Sequence, residues 1–136
     1  MKEWKKVKLG EVADAIQTGP FGSQLHQSDY SEIGYPVVMP KDIINGRIDE
    51  SSIARVEEHH IERLSRHKIS KGDILYARRG DVGKCAYTIE SQEGWLCGTG
   101  CLRVTIDKSQ AFPKFIFYQL QKNETVKWVE NHAIGA

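Results

Sequence analysis

Two adjacent arginines, Arg78 and Arg79, follow the apolar run Ile74-Leu75-Tyr76-Ala77 and lead into Gly80-Asp81-Val82-Gly83-Lys84. A guanidinium is a planar fork of donors that bonds phosphates or guanine edges in pairs. A short buried strand that delivers two such forks into a glycine-punctuated loop holds them at a fixed place. Adjacent side chains on a strand point to opposite faces. One arginine therefore faces a given ligand unless the loop has already turned, and the other is free to pair with Asp73 or Asp81.

Other chemistries are echoed but not supported. Gly80 to Cys85 looks like a phosphate loop, yet its spacing is wrong for a Walker motif. Cys85 also stands where a Mg²⁺-binding Ser or Thr is required. No Gly-x-Gly-x-x-Gly run occurs in this region. Cys97 and Cys101 with His59 and His60 suggest zinc only loosely, because structural sites bring ligands in close pairs. On an extended strand those two cysteines stand roughly 13 Å apart at about 3.3 Å per residue. Buried core cysteines are the simpler reading, and His59-His60 reads as a solvated pair on a helix. No spacing favours a cysteine nucleophile with any particular histidine as base.

The elements that must position the arginines read as follows. Val7, Leu9, Val12, Ala13 and Ile16 have helical spacing, ended by Thr18-Gly19-Pro20. Gly19 to Ser23 is a loop, and Pro36 to Met39 a short buried strand. Asn45-Gly46 marks a hairpin turn between two apolar segments. Glu57 to His67 is helical, with Ile61 and Leu64 inward. The Lys71-Gly72-Asp73 turn opens the strand Ile74 to Ala77. A further strand covers Lys84 to Ile89. Trp95 to Ile106 reads as a long strand, interrupted at Gly98-Thr99-Gly100 by a bulge or close backbone approach. Pro113 opens a helix, and Asn123 caps another. This order predicts an α+β, or irregular α/β, single domain over residues 1–136. It has a mixed, twisted small sheet, short flanking helices and two helices at its C-terminal end.

The totals fit this reading. Of 136 residues, 40% are apolar and 27% charged, an ordinary globular balance. The formal charge is only +1, but Arg63 to Lys84 holds seven Lys or Arg against two acids. A near-neutral domain with one basic sector still presents a one-sided field. Lys2, Lys5, Lys6 and Lys8 add a solvated basic face. Three cysteines, an odd number, point to a reduced, cytoplasmic setting rather than a disulfide framework. No signal-peptide pattern and no membrane-spanning run is visible.

Several motifs in order resemble one family. They are Trp4 with Val7-Lys8-Leu9-Gly10-Glu11-Val12, then Gly19-Pro20-Phe21-Gly22-Ser23-Gln24-Leu25, then Gly34-Tyr35-Pro36-Val37-Val38 with Lys41-Asp42-Ile43. Ile48-Asp49, the run from Arg63-Leu64 to Lys71-Gly72-Asp73-Ile74-Leu75, Arg79-Gly80-Asp81-Val82-Gly83 and Pro113-Lys114-Phe115-Ile116 with Tyr118-Gln119-Leu120 complete the set. Together they resemble a target recognition domain from the specificity (S) subunit of type I restriction–modification systems, over essentially the whole chain. A full S subunit has two such domains separated by long helices. Those helices are missing here, and the chain stops at Ile134-Gly135-Ala136 after a helical pattern, as an excised domain would.

The resemblance implies a non-catalytic DNA-binding module that reads half of a bipartite target in double-stranded DNA. Methylation of adenine or cleavage would fall to partner methyltransferase and restriction subunits. S-adenosylmethionine, ATP and Mg²⁺ would bind those partners, with no cofactor on this chain. Arg78 and Arg79 are then the first candidates for base-edge or groove contact, followed by Lys84, Lys41, Ser23, Gln24 and Thr99. A related specificity domain of a single-polypeptide restriction or methylation enzyme is a neighbouring reading. The alternative from another class is a small cytosolic enzyme or ligand-binding domain using the glycine-rich loops as a pocket.

Overall fold

A computed structural model describes residues 9–78 and 83–132. The basic N-terminal lysines, Trp4, Val7, Arg79 and Asp81 lie outside the described residues. In chain order the elements are α1 (Leu9–Val12), β1 (Ala13–Thr18), β2 (Tyr30–Ser31), β3 (Tyr35–Val38), β4 (Ile43–Ile44), β5 (Arg47–Ile48) and β6 (Ala54–Val56). Next come α2 (Glu58–Arg63), β7 (Ile74–Ala77), β8 (Cys85–Tyr87), β9 (Leu96–Cys97), β10 (Cys101–Ile106), α3 (Pro113–Leu120) and α4 (Asn123–His132). Short 3-10 turns at Gln27–Asp29, Pro40–Asp42, Ser65–His67 and Glu90–Gln92 join them.

The α+β class is as expected, and the strands divide between two sheets and a hairpin. One sheet has the order β1-β10-β7-β8, every pair antiparallel. The other has the order β2-β6-β3-β9, with β3 and β9 parallel through Val37 opposite Leu96 and Val38 opposite Cys97. β4 and β5 form the hairpin at Asn45-Gly46. Both turn residues have positive φ, 52° and 79°, as a two-residue turn matched to strand twist requires.

Two expectations are corrected. The helix over Val7 to Ile16 is confined to Leu9–Val12 in the described residues, and Ala13–Thr18 is strand. Along that strand Ala13, Ala15 and Gln17 are half-buried while Asp14, Ile16 and Thr18 are exposed. The apolar Ile16 therefore points out and the polar Gln17 inward, which hides the two-residue period. Pairing with β10 overrides the helical spacing. Likewise, Trp95 to Ile106 is not one interrupted strand, although the close backbone approach expected at its glycines is present at Gly98, against Val38 and Gly19. β9 and β10 belong to different sheets, and Gly98-Thr99-Gly100 carries the chain from one to the other.

Alternation builds the layers. Leu75 and Ala77 of β7 pack with Val38, Cys97, Cys101 and the hairpin residues Ile43 and Ile48, between the sheets. Ile74 and Tyr76 face the other way, with Val104, Ile106 and Phe117 of α3. Val37 and Leu96 turn to the far side of the second sheet, with Ile61 and Leu64 of the α2 region. The sequence of layers is α2, sheet, sheet, α3. All four residues of β7 are thus buried, which explains its unbroken apolar run. Each large side chain so enclosed contributes about 1.5–3 kcal/mol.

Candidate nucleic-acid interface

Register brings four strand ends to one end of the β1-β10-β7-β8 sheet. Thr18, the last residue of β1, pairs with Leu102; Cys101, the first of β10, pairs with Ala77; Tyr76 pairs with Cys85. The chain therefore leaves β1 into Gly19–Gln24, enters β10 from Gly98–Gly100, leaves β7 at Arg78 and enters β8 from Gly83 and Lys84, all at the same end. Three strand spacings of about 4.8 Å make this end roughly 14 Å wide.

Backbone bonds lock the segments together. The Gly19 amide donates to the Cys101 carbonyl at 2.9 Å, and the Arg78 amide to the Gly100 carbonyl at 2.7 Å. The Ala77 amide donates to the Lys84 carbonyl at 3.2 Å, and the Gly98 amide to the Val38 carbonyl at 2.8 Å. The last of these joins the exit of β3, which leads on to Lys41. Packing here demands glycine. A Cβ on Gly19 would stand 2.1 Å from the Gly98 carbonyl oxygen, and one on Gly98 would stand 2.5 Å from Met39 Sδ and 2.6 Å from the Val38 oxygen.

The structure thus brings Ser23, Gln24, Thr99, Arg78 and Lys84 to one end, with Lys41 beside it. Their side chains are not equally available. Arg78 is exposed and has no ion-pair partner among the described residues. Asp73, one of its suggested partners, lies at the opposite end of β7. It is 3% exposed, its Oδ2 accepts from the Ser70 amide at 2.8 Å, and burial pushes its carboxyl up. Ser23 is exposed. Gln24 Oε1 accepts from the Phe21 amide at 3.0 Å, leaving the side-chain NH₂ as a donor. Thr99 Oγ1 is buried with no hydrogen-bond partner among the described residues, so its hydroxyl is turned away from solvent. Lys41 Nζ bonds Asp42 Oδ1 at 2.8 Å and the Ser52 carbonyl at 2.8 Å. Its side chain is nevertheless half in solvent. Phe21, 66% exposed in the same loop, was not singled out from sequence; an aromatic between Pro20 and Gly22 was the available signal.

Lys84 borders an open depression of about 430 Å³ between the hairpin tip, Gly83, Gln121 and Val126. Its lining contains no His, Asp or Glu among the described residues. The cysteine-nucleophile reading fails on burial. All three thiols are buried, and desolvation pushes Cys85 and Cys97 up to about 12, whereas a nucleophilic thiolate needs the opposite shift. Among the described residues no group of three or more His, Cys, Asp or Glu is placed to hold a metal ion, and no helix is long and apolar enough to cross a membrane. The solvated histidine pair is corrected in part. His59 is exposed, but His60 is buried, and its Nδ1 accepts from Arg63 Nε at 2.9 Å.

Comparison with known proteins fits this geometry. Residues 1–135 match the family described as the type I restriction modification DNA specificity domain. A curated relative, named as a type I restriction enzyme MjaX specificity subunit of Methanocaldococcus jannaschii, is 25% identical over 141 residues, 98% of this chain and 32% of the relative. The HsdS subunit from Thermoanaerobacter tengcongensis superposes with a TM-score of 0.59 at 21% identity, over 86% of this chain and 29% of that one. The S subunit from M. genitalium gives 0.57 at 18%, over 92% and 27%. A chain from a type I R-M system, solved for its complex assembly and conformational transition, gives 0.63 at 19%, over 96% and 32%. These structural likenesses show the fold. The chain spans about a third of the length of the relatives it matches. Specificity subunits are the non-catalytic modules of their systems. With the match running over nearly its whole length, the chain belongs to the family of type I restriction modification DNA specificity domains.

Proposed function

We propose that this domain reads one half of a bipartite target in duplex DNA, using the end of the β1-β10-β7-β8 sheet where Gly19–Gln24, Gly98–Gly100, Arg78 and Lys84 meet. The observation that carries the reading is the convergence itself: an exposed guanidinium, with no ion-pair partner among the described residues, set among backbone-locked turns. At roughly 14 Å, three strand spacings, that end is comparable with the major groove, about 12 Å wide. Arg78 and Arg79 take phosphates or guanine edges, Lys84 a phosphate, and Ser23 and the Gln24 amide supply further donors. Thr99 shapes the turn between its glycines, and Lys41 holds the neighbouring 3-10 turn. The domain is one reading head of a longer S subunit, whose second head takes the other half-site. Partner methyltransferase and restriction subunits carry S-adenosylmethionine, ATP and Mg²⁺ and perform the chemistry.

The test is to sequence the methylated sites left by the full complex. Exchanging Ser23 and Gln24 together, or Arg78 alone, should alter or relax bases in one half of the motif and leave the other half intact. Methylation at an unaltered motif in every such variant contradicts the proposal.

A further inference from the structure

Resting on that reading, we propose that the loop tip Phe21-Gly22-Ser23 enters the DNA groove and that Phe21 packs against an apolar base surface of the target. Either a thymine 5-methyl group or the face of a base at an opened step would provide such a surface.

Three observations support this. First, the loop is anchored at both feet and bare at its tip. Pro20 is fully enclosed and Leu25 is 4% exposed, while Phe21 between them is 66% exposed. Second, the two glycines of the loop differ in what the fold asks of them. Gly19 is required by contact with Gly98, but a Cβ on Gly22 would meet nothing within 4 Å, and Gly22 does not have a positive φ. No described part of the chain explains a glycine there. The bare backbone there leaves room for close approach by a ligand. Third, the loop is stiffened around the aromatic. Gln24 bonds Phe21 twice, through its side-chain oxygen to the Phe21 amide at 3.0 Å and through its own amide to the Phe21 carbonyl at 2.8 Å. A preorganised loop loses little entropy on binding. An exposed aromatic on a turn closed by its own backbone bonds, leading from the same sheet end as Arg78, which has no ion-pair partner among the described residues, joins an apolar contact to a cationic one, the pairing a groove offers.

The test uses the full S subunit assembled with its partner subunits, a duplex carrying its mapped target and a scrambled duplex. Phe21→Ala and Gly22→Val should keep the melting temperature and reduce preference for the target roughly tenfold, with Phe21→Leu retaining most of it. If the surface is a thymine methyl, replacing that thymine by uracil reproduces the Phe21→Ala loss in the wild-type complex and adds nothing in the variant. If it is a base face, 2-aminopurine at one step brightens on binding wild type and not Phe21→Ala. Unchanged preference in both Phe21→Ala and Gly22→Val overturns the proposal. So does a Phe21→Ala complex that loses a partner subunit while keeping its DNA preference. Absence of any target preference in the wild-type complex overturns the underlying DNA reading instead, so the two failures are distinguishable.

Discussion

The Arg78 amide donates a 2.7 Å hydrogen bond to the Gly100 carbonyl, across the junction where the chain passes from one sheet to the other. The backbone that carries the exposed guanidinium is thereby tied to the Gly98–Gly100 turn, which is itself wedged between Gly19 and Val38. The arginine is presented from a packed base even though its side chain is in solvent.

Gly98→Ala tests that base. Its Cβ would stand 2.5 Å from Met39 Sδ and 2.6 Å from the Val38 oxygen, and the backbone atom cannot swing aside. We expect a loss of about 1–3 kcal/mol in urea denaturation, in the range for an overpacked core. Gly22→Ala, in open space, should leave the midpoint unchanged. Equal midpoints for the two variants would contradict the packing described.

Lys41→Met separates fold from function. Its ammonium bonds Asp42, which is 2% exposed, and the Ser52 carbonyl. The lysine itself is half in solvent, so the loss should be about 1 kcal/mol or less. The salt dependence of DNA binding should not change if the ammonium keeps its bonds to Asp42 and Ser52 in the complex. A shallower salt slope for Lys41→Met would return Lys41 to the DNA interface.

Acidification should weaken the fold through its buried imidazoles. His60 is pushed below its ordinary 6.5, first by burial and then by His59 and Arg63; burial, Arg66 and Arg103 do the same to His67. Both take up protons more readily when unfolded, so the stability they confer is present above 6.5 and lost as pH falls toward their folded values. Asp73, raised by burial, has the opposite sign, its contribution fading as pH rises above 3.8. Melting temperature should drop from about pH 7.5 to about pH 5.5, and His60→Gln should flatten that drop. Parallel curves would exclude His60 as a contributor.

Much of this arrangement was legible from sequence where chemistry is local. Asn45-Gly46 demanded a two-residue turn, Pro113 a helix start, and the apolar run Ile74 to Ala77 a short buried strand. The misreadings came from tertiary context. Ile16 faces solvent while Gln17 is half-buried, so β1 carried no visible alternation. The bond from Lys41 to the Ser52 carbonyl, eleven residues away, was equally invisible to local pattern. The convergence of four loops on one end depends on β10 lying between β1 and β7, a register that no local motif encodes.

Contact between this sheet end and DNA is what we propose. It is tested most directly by equilibrium binding of the assembled full-length S subunit to its target duplex across a salt series, wild type against the Arg78→Ala/Arg79→Ala double variant. An arginine that contacts phosphate should weaken binding to all sequences and reduce the slope of log K against log salt by about 0.9. One that reads guanine should cost about 1–3 kcal/mol of discrimination. Affinity, slope and discrimination all equal to wild type in a folded double variant would contradict the account.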